Sequence, residues 1–139
     1  MNIFLDFDGT VVEHDYPEIG KLNPYALEVI KKLQDAGHTI ILNTMRVEFN
    51  DGTLEEAIDF INLNREVTGI NISRYTENKI HPRNWDSDKI ENDLYIDDIA
   101  ANIPLIRASM VNGLMVDWVK IESRLIARGL LVAESFCAP

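Results

Sequence analysis

Apolar residues occur in short runs along this chain, and strand-like runs alternate with runs at helical spacing. Residues 2–7 predict a strand, because they are rich in Ile, Phe and Leu and stop at an Asp-Gly-Thr turn at residues 8–10. Asn23-Pro24 then predicts an N-cap and a proline in the first helical position. Apolar residues continue at helical spacing until Gly37, so we expect the first helix to end there.

Further strands are expected beyond this helix, where short apolar runs are bounded by turn-forming residues. They cover residues 39–42, 70–75, 93–96 and 114–116. The polar stretch 76–91 predicts a loop.

Two longer helices are expected in the rest of the chain. Thr53 and Glu56 form a capping-box pattern that predicts a helix over residues 53–67, closed by Gly69. A last helix is expected over residues 118–128, closed by Gly129. Its apolar residues are expected to pack in the core, namely Trp118, Val119, Leu125 and Ile126. A brief helical turn, interrupted by Pro104, is expected over residues 102–107.

Strands that alternate with helices predict an α/β fold, a doubly wound, Rossmann-like three-layer sandwich with a mainly parallel sheet. The chain has 139 residues, of which 46% are hydrophobic, which is enough for a core of its own. We therefore expect a single domain over residues 1–139, with residues 130–139 as a loose tail. Ligands of such sheets bind beyond the carboxyl ends of the strands, so polar residues there are the candidate site.

Charge, cysteine content and the length of the apolar runs limit the partners and the cellular location that we expect. Thirteen Lys and Arg residues against 23 Asp and Glu residues give a net charge of -10, which disfavours a nucleic-acid partner or an anionic membrane surface. Cys137 is the single cysteine, so no internal disulfide forms. No apolar run approaches the roughly 20 residues that cross a bilayer, and no basic region precedes the first apolar stretch. We therefore expect a cytoplasmic protein.

Six polar residues follow the predicted strands or lie in the loop between them. They are Asp6, Asp8, Thr44, Lys79, Asp97 and Asp98. Crowded carboxylates repel one another and need a counter-charge, which a hard divalent cation with oxygen ligands supplies. Mg²⁺ keeps ligand positions for waters and substrate phosphate oxygens. Carboxylates, a hydroxyl, a lysine and this metal together indicate a site for a phosphoryl group.

Four motifs, in the order in which they occur along the chain, resemble those of the haloacid dehalogenase (HAD) superfamily, and of its phosphatase-like members in particular. The first is the strand followed by DFDGT at residues 6–10, and the second is the apolar strand that ends at Thr44. The third is a lysine, for which Lys79 is the simplest assignment and Lys89 an alternative. The fourth is the apolar strand that ends in paired acids, residues 94–98.

The resemblance implies a Mg²⁺-dependent phosphatase. Asp6 would be the nucleophile that forms an aspartyl-phosphate, and Asp8 the general acid and base. The carboxylates of Asp6 and Asp97 and the main-chain carbonyl of Asp8 would hold the metal, with Asp98 bound directly or in the outer shell. Thr44 and Lys79 would bind the transferring phosphoryl oxygens.

Two features of the sequence refine that resemblance. An acid at position 8 goes with the members that act on phosphate esters, whereas members that cleave carbon–halogen bonds lack it. The connections after the first and second motifs are too short to hold an extra cap domain. We therefore expect a capless member, whose site accepts a bulky substrate, is roofed by the loop over residues 12–20 or is covered by a second copy of the chain.

Several assignments stay open at this level. Arg46 could bind phosphate, although an ordinary surface ion pair is the simpler expectation. His14, His81 and Trp85 are expected to be ordinary surface residues, with substrate contact as an alternative. The substrate class is also open, with sugar phosphates, nucleotides, phosphoproteins and polynucleotide ends all chemically admissible.

Rival functions remain. A catalytically inactive protein of this fold and a phosphoacceptor signalling domain are the alternatives from other functional classes. The order of the acids argues against the signalling domain, because such domains carry the paired acids on the first strand. A phosphotransferase or mutase is the nearest enzymatic alternative, but it must shield its aspartyl-phosphate from water.

Overall fold

The computed structural model describes residues 1–86, 93–108 and 113–133. The elements in chain order are β1 (Asn2–Leu5), α1 (Ala26–Asp35), β2 (Thr39–Leu42), α2 (Arg46–Phe49), α3 (Thr53–Asn62), β3 (Arg74–Tyr75), β4 (Asp93–Ile96), β5 (Leu105–Arg107), β6 (Leu114–Val116) and α4 (Trp118–Ala127).

Four strands form the main sheet, in the order β3-β2-β1-β4, and all their pairings are parallel. In the centre of the sheet, Asn2 of β1 is in register with Thr39 of β2 on one side and with Asp93 of β4 on the other. The predicted α/β fold with a mainly parallel sheet and flanking helices is therefore confirmed. β1 and its two neighbours, β2 and β4, thus reach the same edge of the sheet at their carboxyl ends.

The core lies between this sheet and the helices. In α1, the apolar positions predicted from helical spacing are all buried, and Leu27, Ile30 and Leu33 are fully so. In β2, Ile40, Ile41 and Leu42 are all buried, because a central parallel strand is covered on both faces. Gly37 has a φ of +91°, the left-handed conformation that ends a helix, as the sequence predicts.

The predicted start of α1 is wrong. The helix begins at Ala26, after Tyr25 with a φ of 67°, and not at an Asn23 cap. The Asn23 side chain is instead fully buried and donates to the carbonyls of Thr10 at 2.9 Å and Val116 at 2.7 Å. The side chain is thus held through its NH2 group by two buried carbonyl groups, and not at the helix start, where its oxygen would accept a backbone N–H.

The predicted helix over residues 53–67 is shorter than expected. α3 ends at Asn62, whose side-chain amide bonds both the N–H and the carbonyl of Ile72, at 2.8 and 2.7 Å. The capping box is also wrong, because Asp51 Oδ1 accepts from the Thr53 N–H and hydroxyl instead. The predicted third strand shrinks to Arg74–Tyr75, and the four-residue α2 was not predicted.

The predicted helical turn over residues 102–107 is wrong in type. Leu105–Arg107 forms β5, which pairs antiparallel with β6 in a separate two-stranded sheet. The predicted strand at 114–116 is confirmed, and so is the last helix, although its Val119 is 58% exposed while Trp118 and Leu125 are buried.

The connections after β1 and β2 hold no inserted domain, because the described residues 6–25 and 43–73 contain only loops and the short helices α2 and α3. Within the described part of the chain, no helix is both long and apolar enough to span a membrane. Lys89, Cys137 and residues 134–139 of the expected tail lie outside the described residues.

Candidate active site

The hydrogen bonds that pair β1 with β2 and β4 continue one residue past the strand ends, and they hold the acidic residues there in place. The Asp6 N–H donates to the Ile96 carbonyl at 3.0 Å, and the Asn43 N–H donates to the Leu5 carbonyl at 2.7 Å. Asp6, Asn43 and the residue after Ile96, Asp97, are therefore held side by side at one edge of the sheet. This is the edge at which open parallel sheets bind their ligands.

The turn after β1 is tightly wound around one carbonyl group. The Phe7 carbonyl accepts from the N–H groups of Thr10, Val11 and Val12 at 3.2, 2.9 and 3.3 Å. Gly9 has a φ of +80°, and a Cβ atom there would lie 2.6 Å from Asp98 Oδ2 and would collide with the His14 ring. A glycine is therefore required both by the turn and by the close approach of the acidic residues.

Three of the predicted metal ligands form a cluster. Asp6, Asp97 and Asp98 each offer a carboxylate oxygen, and these oxygens lie within 4.8 Å of one another. Asp6 and Asp97 are buried, with 4% and 1% exposure. Thr10 ties the cluster together, since its hydroxyl donates to Asp6 Oδ2 at 3.3 Å and accepts from the Asp98 N–H at 3.2 Å.

Lys79 lies against this cluster. Its Nζ is 3.2 Å from Asp6 Oδ1 and 2.9 Å from Asp97 Oδ2. Asn43, which the sequence analysis missed, positions the loop that carries this lysine. The Asn43 amide accepts from the Thr76 hydroxyl at 3.0 Å and bonds both the N–H and the carbonyl of Ile80 at 2.8 and 2.9 Å.

The crowding of charges shifts the acid–base properties of the cluster. Burial, together with the neighbouring Asp97, raises the pKa of Asp6 well above its usual value, although Lys79 opposes the shift. Burial also raises the pKa of Asp97, again against the effect of Lys79. Burial alone would lower the pKa of Lys79, but the charges of Asp6 and Asp97 raise it above its usual value. One lysine therefore compensates the negative charge only in part.

This donor set fits a hard divalent cation. The cluster offers only carboxylate oxygens, and Mg²⁺ prefers oxygen ligands and few protein groups. The raised pKa values of Asp6 and Asp97 mark a place where added positive charge would stabilise the ionised carboxylates.

Asp98 has a different partner from the other two acids. His14 Nε2 lies 2.8 Å from Asp98 Oδ2. Burial alone would raise the pKa of Asp98, but the hydrogen bond with His14 brings it below its usual value. The same hydrogen bond raises the pKa of His14. The expectation that His14 is an ordinary surface residue is therefore wrong, although its ring remains half exposed.

Asp8 does not point into the acidic cluster. Its carboxylate is held by Arg46, whose Nε donates to Oδ2 at 2.8 Å and whose Nη2 donates to Oδ1 at 2.7 Å. The Arg46 side chain is fully buried, so the expected surface ion pair is wrong. As a metal ligand, Asp8 is left with its main-chain carbonyl, which is also what the resemblance implies.

Thr44 is buried, and its hydroxyl accepts the Arg46 N–H at 3.2 Å.

Two other candidates lie elsewhere. Trp85 is 1% exposed and stacks against Arg128, so the expectation of a surface residue is wrong. His81 is exposed and does not line the cavity that contains Asp6 and Lys79.

A cavity of about 360 Å³ lies at this edge of the sheet and is lined by most of the candidate site residues. It brings together Asp6, Asp8, Thr44 and Lys79, the four predicted catalytic and phosphate-binding residues. The other lining residues are His14, Tyr16, Met45, Arg46, Phe49, Asp98 and Ile99. Five of the six sequence-predicted site residues thus line one concave space, and the sixth, Asp97, contacts Lys79 beside it.

Comparisons with known proteins agree with this geometry. Residues 3–100 match the family described as haloacid dehalogenase-like hydrolase. The solved structure of a conserved protein from Bacteroides thetaiotaomicron matches with a TM-score of 0.56 and 27% sequence identity, over 93% of this chain and 91% of that one. Among curated proteins, no significant match was found. On the family match, which covers the main sheet and all six predicted site residues, the chain belongs to the haloacid dehalogenase-like hydrolases.

Proposed function

We propose that this hydrolase is a Mg²⁺-dependent phosphatase that cleaves phosphate monoesters through an aspartyl-phosphate on Asp6. The observation that carries the proposal is the position of Asp6. Its buried carboxylate lines the cavity, contacts the Lys79 ammonium at 3.2 Å and belongs to the three-carboxylate cluster. A nucleophile, a phosphate-binding cation and a metal-binding donor set therefore meet at one point.

In the first step, a carboxylate oxygen of Asp6 attacks phosphorus, and the bond between phosphorus and the ester oxygen breaks. Asp8 lines the same cavity and, in its protonated form with one oxygen released from Arg46, gives a proton to the leaving alcohol. In the second step, Asp8 takes a proton from water as that water attacks phosphorus, and the bond between phosphorus and Asp6 breaks. Inorganic phosphate is released, and both carboxyl groups return to their starting states.

Asp6, Asp97, Asp98 and the main-chain carbonyl of Asp8 would hold Mg²⁺. When bound, the metal offsets the negative charge that the phosphoryl group and the carboxylates bring together. The Lys79 ammonium binds phosphoryl oxygens from its place between Asp6 and Asp97. The Thr44 hydroxyl, held in the cavity wall by the Arg46 N–H, binds another of these oxygens.

The experiment is a panel of phosphate monoesters assayed with Mg²⁺ and with a chelator, for the wild type and for Asp6→Asn and Asp8→Asn. We expect turnover that needs the metal and that disappears in both variants. Acid-quenched enzyme should carry phosphate on Asp6, measured by mass spectrometry. Asp35→Asn changes an exposed carboxylate on α1 and is the matched control.

Two outcomes would overturn the proposal in favour of its rivals. Stable phosphorylation of the protein without turnover would indicate a phosphoacceptor domain. No turnover across a broad panel, with Mg²⁺ still bound at the cluster, would indicate an inactive binding protein. The expectations of a single domain, a cytoplasmic location, self-association and no nucleic-acid partner stay predictions.

A further inference from the structure

The cavity has two ends of opposite character. Asp6 and Lys79 lie at its buried, charged end, with side-chain exposures of 6% and 11%. Four large apolar side chains also line the cavity, and each of them is between 41% and 56% exposed. They are Tyr16, Met45, Phe49 and Ile99. We call these four side chains the apolar rim.

Single exposed apolar residues are ordinary on a protein surface, but four around one cavity are not. They also come from separate parts of the chain, namely the loop before α1, the residues of and next to α2, and the loop after β4. The Tyr16 and Phe49 rings lie 5.1 Å apart with a 38° tilt, so they form one aromatic surface.

The cations of the cavity are already engaged. Lys79 contacts Asp6 and Asp97, and Arg46 is bound in bidentate fashion by Asp8. His14, the remaining basic side chain of the lining, contacts Asp98. Lys79 is assigned to the phosphoryl group by the proposed function. A second phosphate or a carboxylate near the ester would therefore meet no unpaired cation among the described residues of this lining, and the acidic groups would repel it.

From this arrangement we infer the substrate class, an inference that rests on the proposed phosphatase function. The substrate is a monoester of an alcohol that carries a flat apolar or aromatic group close to the phosphate, with no second anionic group. The phosphoryl group lies at Asp6 and Lys79, and the apolar part of the alcohol packs on the rim, chiefly against Tyr16 and Phe49. Burial of that group releases water from both surfaces.

The test compares benzyl phosphate with ethyl phosphate, glycerol phosphate and phosphoglycerate. In all four esters the phosphate is carried on a saturated carbon. We expect kcat/KM for benzyl phosphate to exceed that for ethyl phosphate by about tenfold or more, the range for apolar groups in a pocket. Phosphoglycerate, which adds a carboxylate, should be the poorest substrate. Phe49→Ala should lower the ratio of benzyl to ethyl phosphate towards one, whereas Leu63→Ala, at an exposed apolar residue outside the cavity, should preserve it.

A second measurement separates this inference from the proposed function. Benzylphosphonate and ethylphosphonate cannot be hydrolysed, so calorimetry on the Mg²⁺-loaded protein reports recognition without turnover. Tighter binding of benzylphosphonate, lost in Phe49→Ala, supports the inference even if no ester is cleaved. Turnover of all the esters with equal kcat/KM would overturn the inference and leave the phosphatase function intact. A Phe49→Ala variant that loses self-association but keeps the benzyl preference would also overturn it, since the rim would then contact a second copy of the chain.

Discussion

Arg46, which is fully buried, and Asp8, which is 15% exposed, form a bidentate ion pair between α2 and the turn after β1, with N–O distances of 2.7 and 2.8 Å. The guanidinium group also donates to the carbonyls of Glu18 at 2.8 Å, Thr53 at 3.3 Å and Pro17 at 3.4 Å. Its Cζ atom lies 5.0 Å from the centre of the Phe7 ring and 5.1 Å from that of Tyr16. Arg46 thus ties residues 16–18 of the connection between β1 and α1, and the start of α3, to the proposed acid–base residue.

The first prediction concerns the strength of this pair. Arg46→Met should lower the free energy of unfolding by about 3 to 5 kcal/mol, because it leaves the Asp8 carboxylate without its partner. Urea denaturation of the single variants and of Arg46→Met/Asp8→Asn measures the coupling, and the double variant should lose less than the sum of the single losses.

Arg83→Met is the control for that experiment, because Arg83 is exposed and its nearest carboxylate oxygen, on Asp93, is 3.6 Å away. It should change the free energy of unfolding by less than about 1 kcal/mol. Additive effects of the Arg46 and Asp8 substitutions would contradict the coupling.

The second prediction tests Lys79 as the phosphate-binding lysine. Lys79→Met should reduce kcat/KM for a phosphate monoester about 10²- to 10³-fold, the cost of removing one donor to a developing charge. Steady-state kinetics with saturating Mg²⁺ measures this loss. Lys31→Met removes a partly buried lysine that pairs with Asp35 on α1 and does not line the cavity, and it should leave kcat/KM unchanged. Equal activity of the two variants would exclude Lys79 and turn attention to Lys89.

The strand ends could be predicted from sequence because local pattern alone determines them. Short apolar runs that end in acidic residues are enough to place Asp6, Asp97 and Asp98 at the carboxyl ends of parallel strands. Thr44 and Lys79 follow from the order of the motifs, and both line the cavity. For the three acids, the deciding pattern therefore lies within a few residues, whereas Thr44 and Lys79 depend on the order of the motifs along the chain.

The partners of the site residues could not be predicted in the same way, because they come from distant parts of the chain. Arg46 meets Asp8 across 38 positions, and His14 meets Asp98 across 84. Asn23 has the local signature of a helix cap, yet tertiary contacts with Thr10 and Val116 take its amide. The short apolar run that forms β5 is a strand only because β6 pairs with it.

The third prediction concerns metal binding. Mg²⁺ should raise the free energy of unfolding, because it binds the folded cluster and not the unfolded chain. At a free concentration about 100 times its Kd, the increase should be about 2.7 kcal/mol. Thermal denaturation with Mg²⁺ and with a chelator measures this difference. Asp97→Asn should abolish it, since Asp97 is one of the three clustered carboxylates, whereas the exposed Asp35→Asn should preserve it. The same shift in the Asp97 variant would place the metal elsewhere.

The fourth prediction concerns the pH dependence of the His14–Asp98 contact in the metal-free protein. The hydrogen bond with Asp98 raises the pKa of His14 above its usual value of 6.5, with Asp8 adding to the shift and Lys79 opposing it. A raised pKa in the folded state means that the contribution to stability is complete below 6.5 and is lost as the pH rises through the folded-state value. The pKa of Asp98 lies below its usual value of 3.8. The ionised carboxylate therefore contributes fully to stability above pH 3.8, and this contribution is lost only as the pH falls through the lower folded-state value.

The contact should therefore stabilise the fold most in the window between the usual values of the two groups. In the presence of a chelator, the difference in free energy of unfolding between the wild type and His14→Gln should be larger near about pH 5.5 than near about pH 9. Urea denaturation at the two pH values measures it. His81→Gln, at an exposed histidine outside the cavity, is the control for loss of an imidazole. A His14→Gln difference that stays constant or grows with pH would show that the imidazolium form contributes nothing through Asp98.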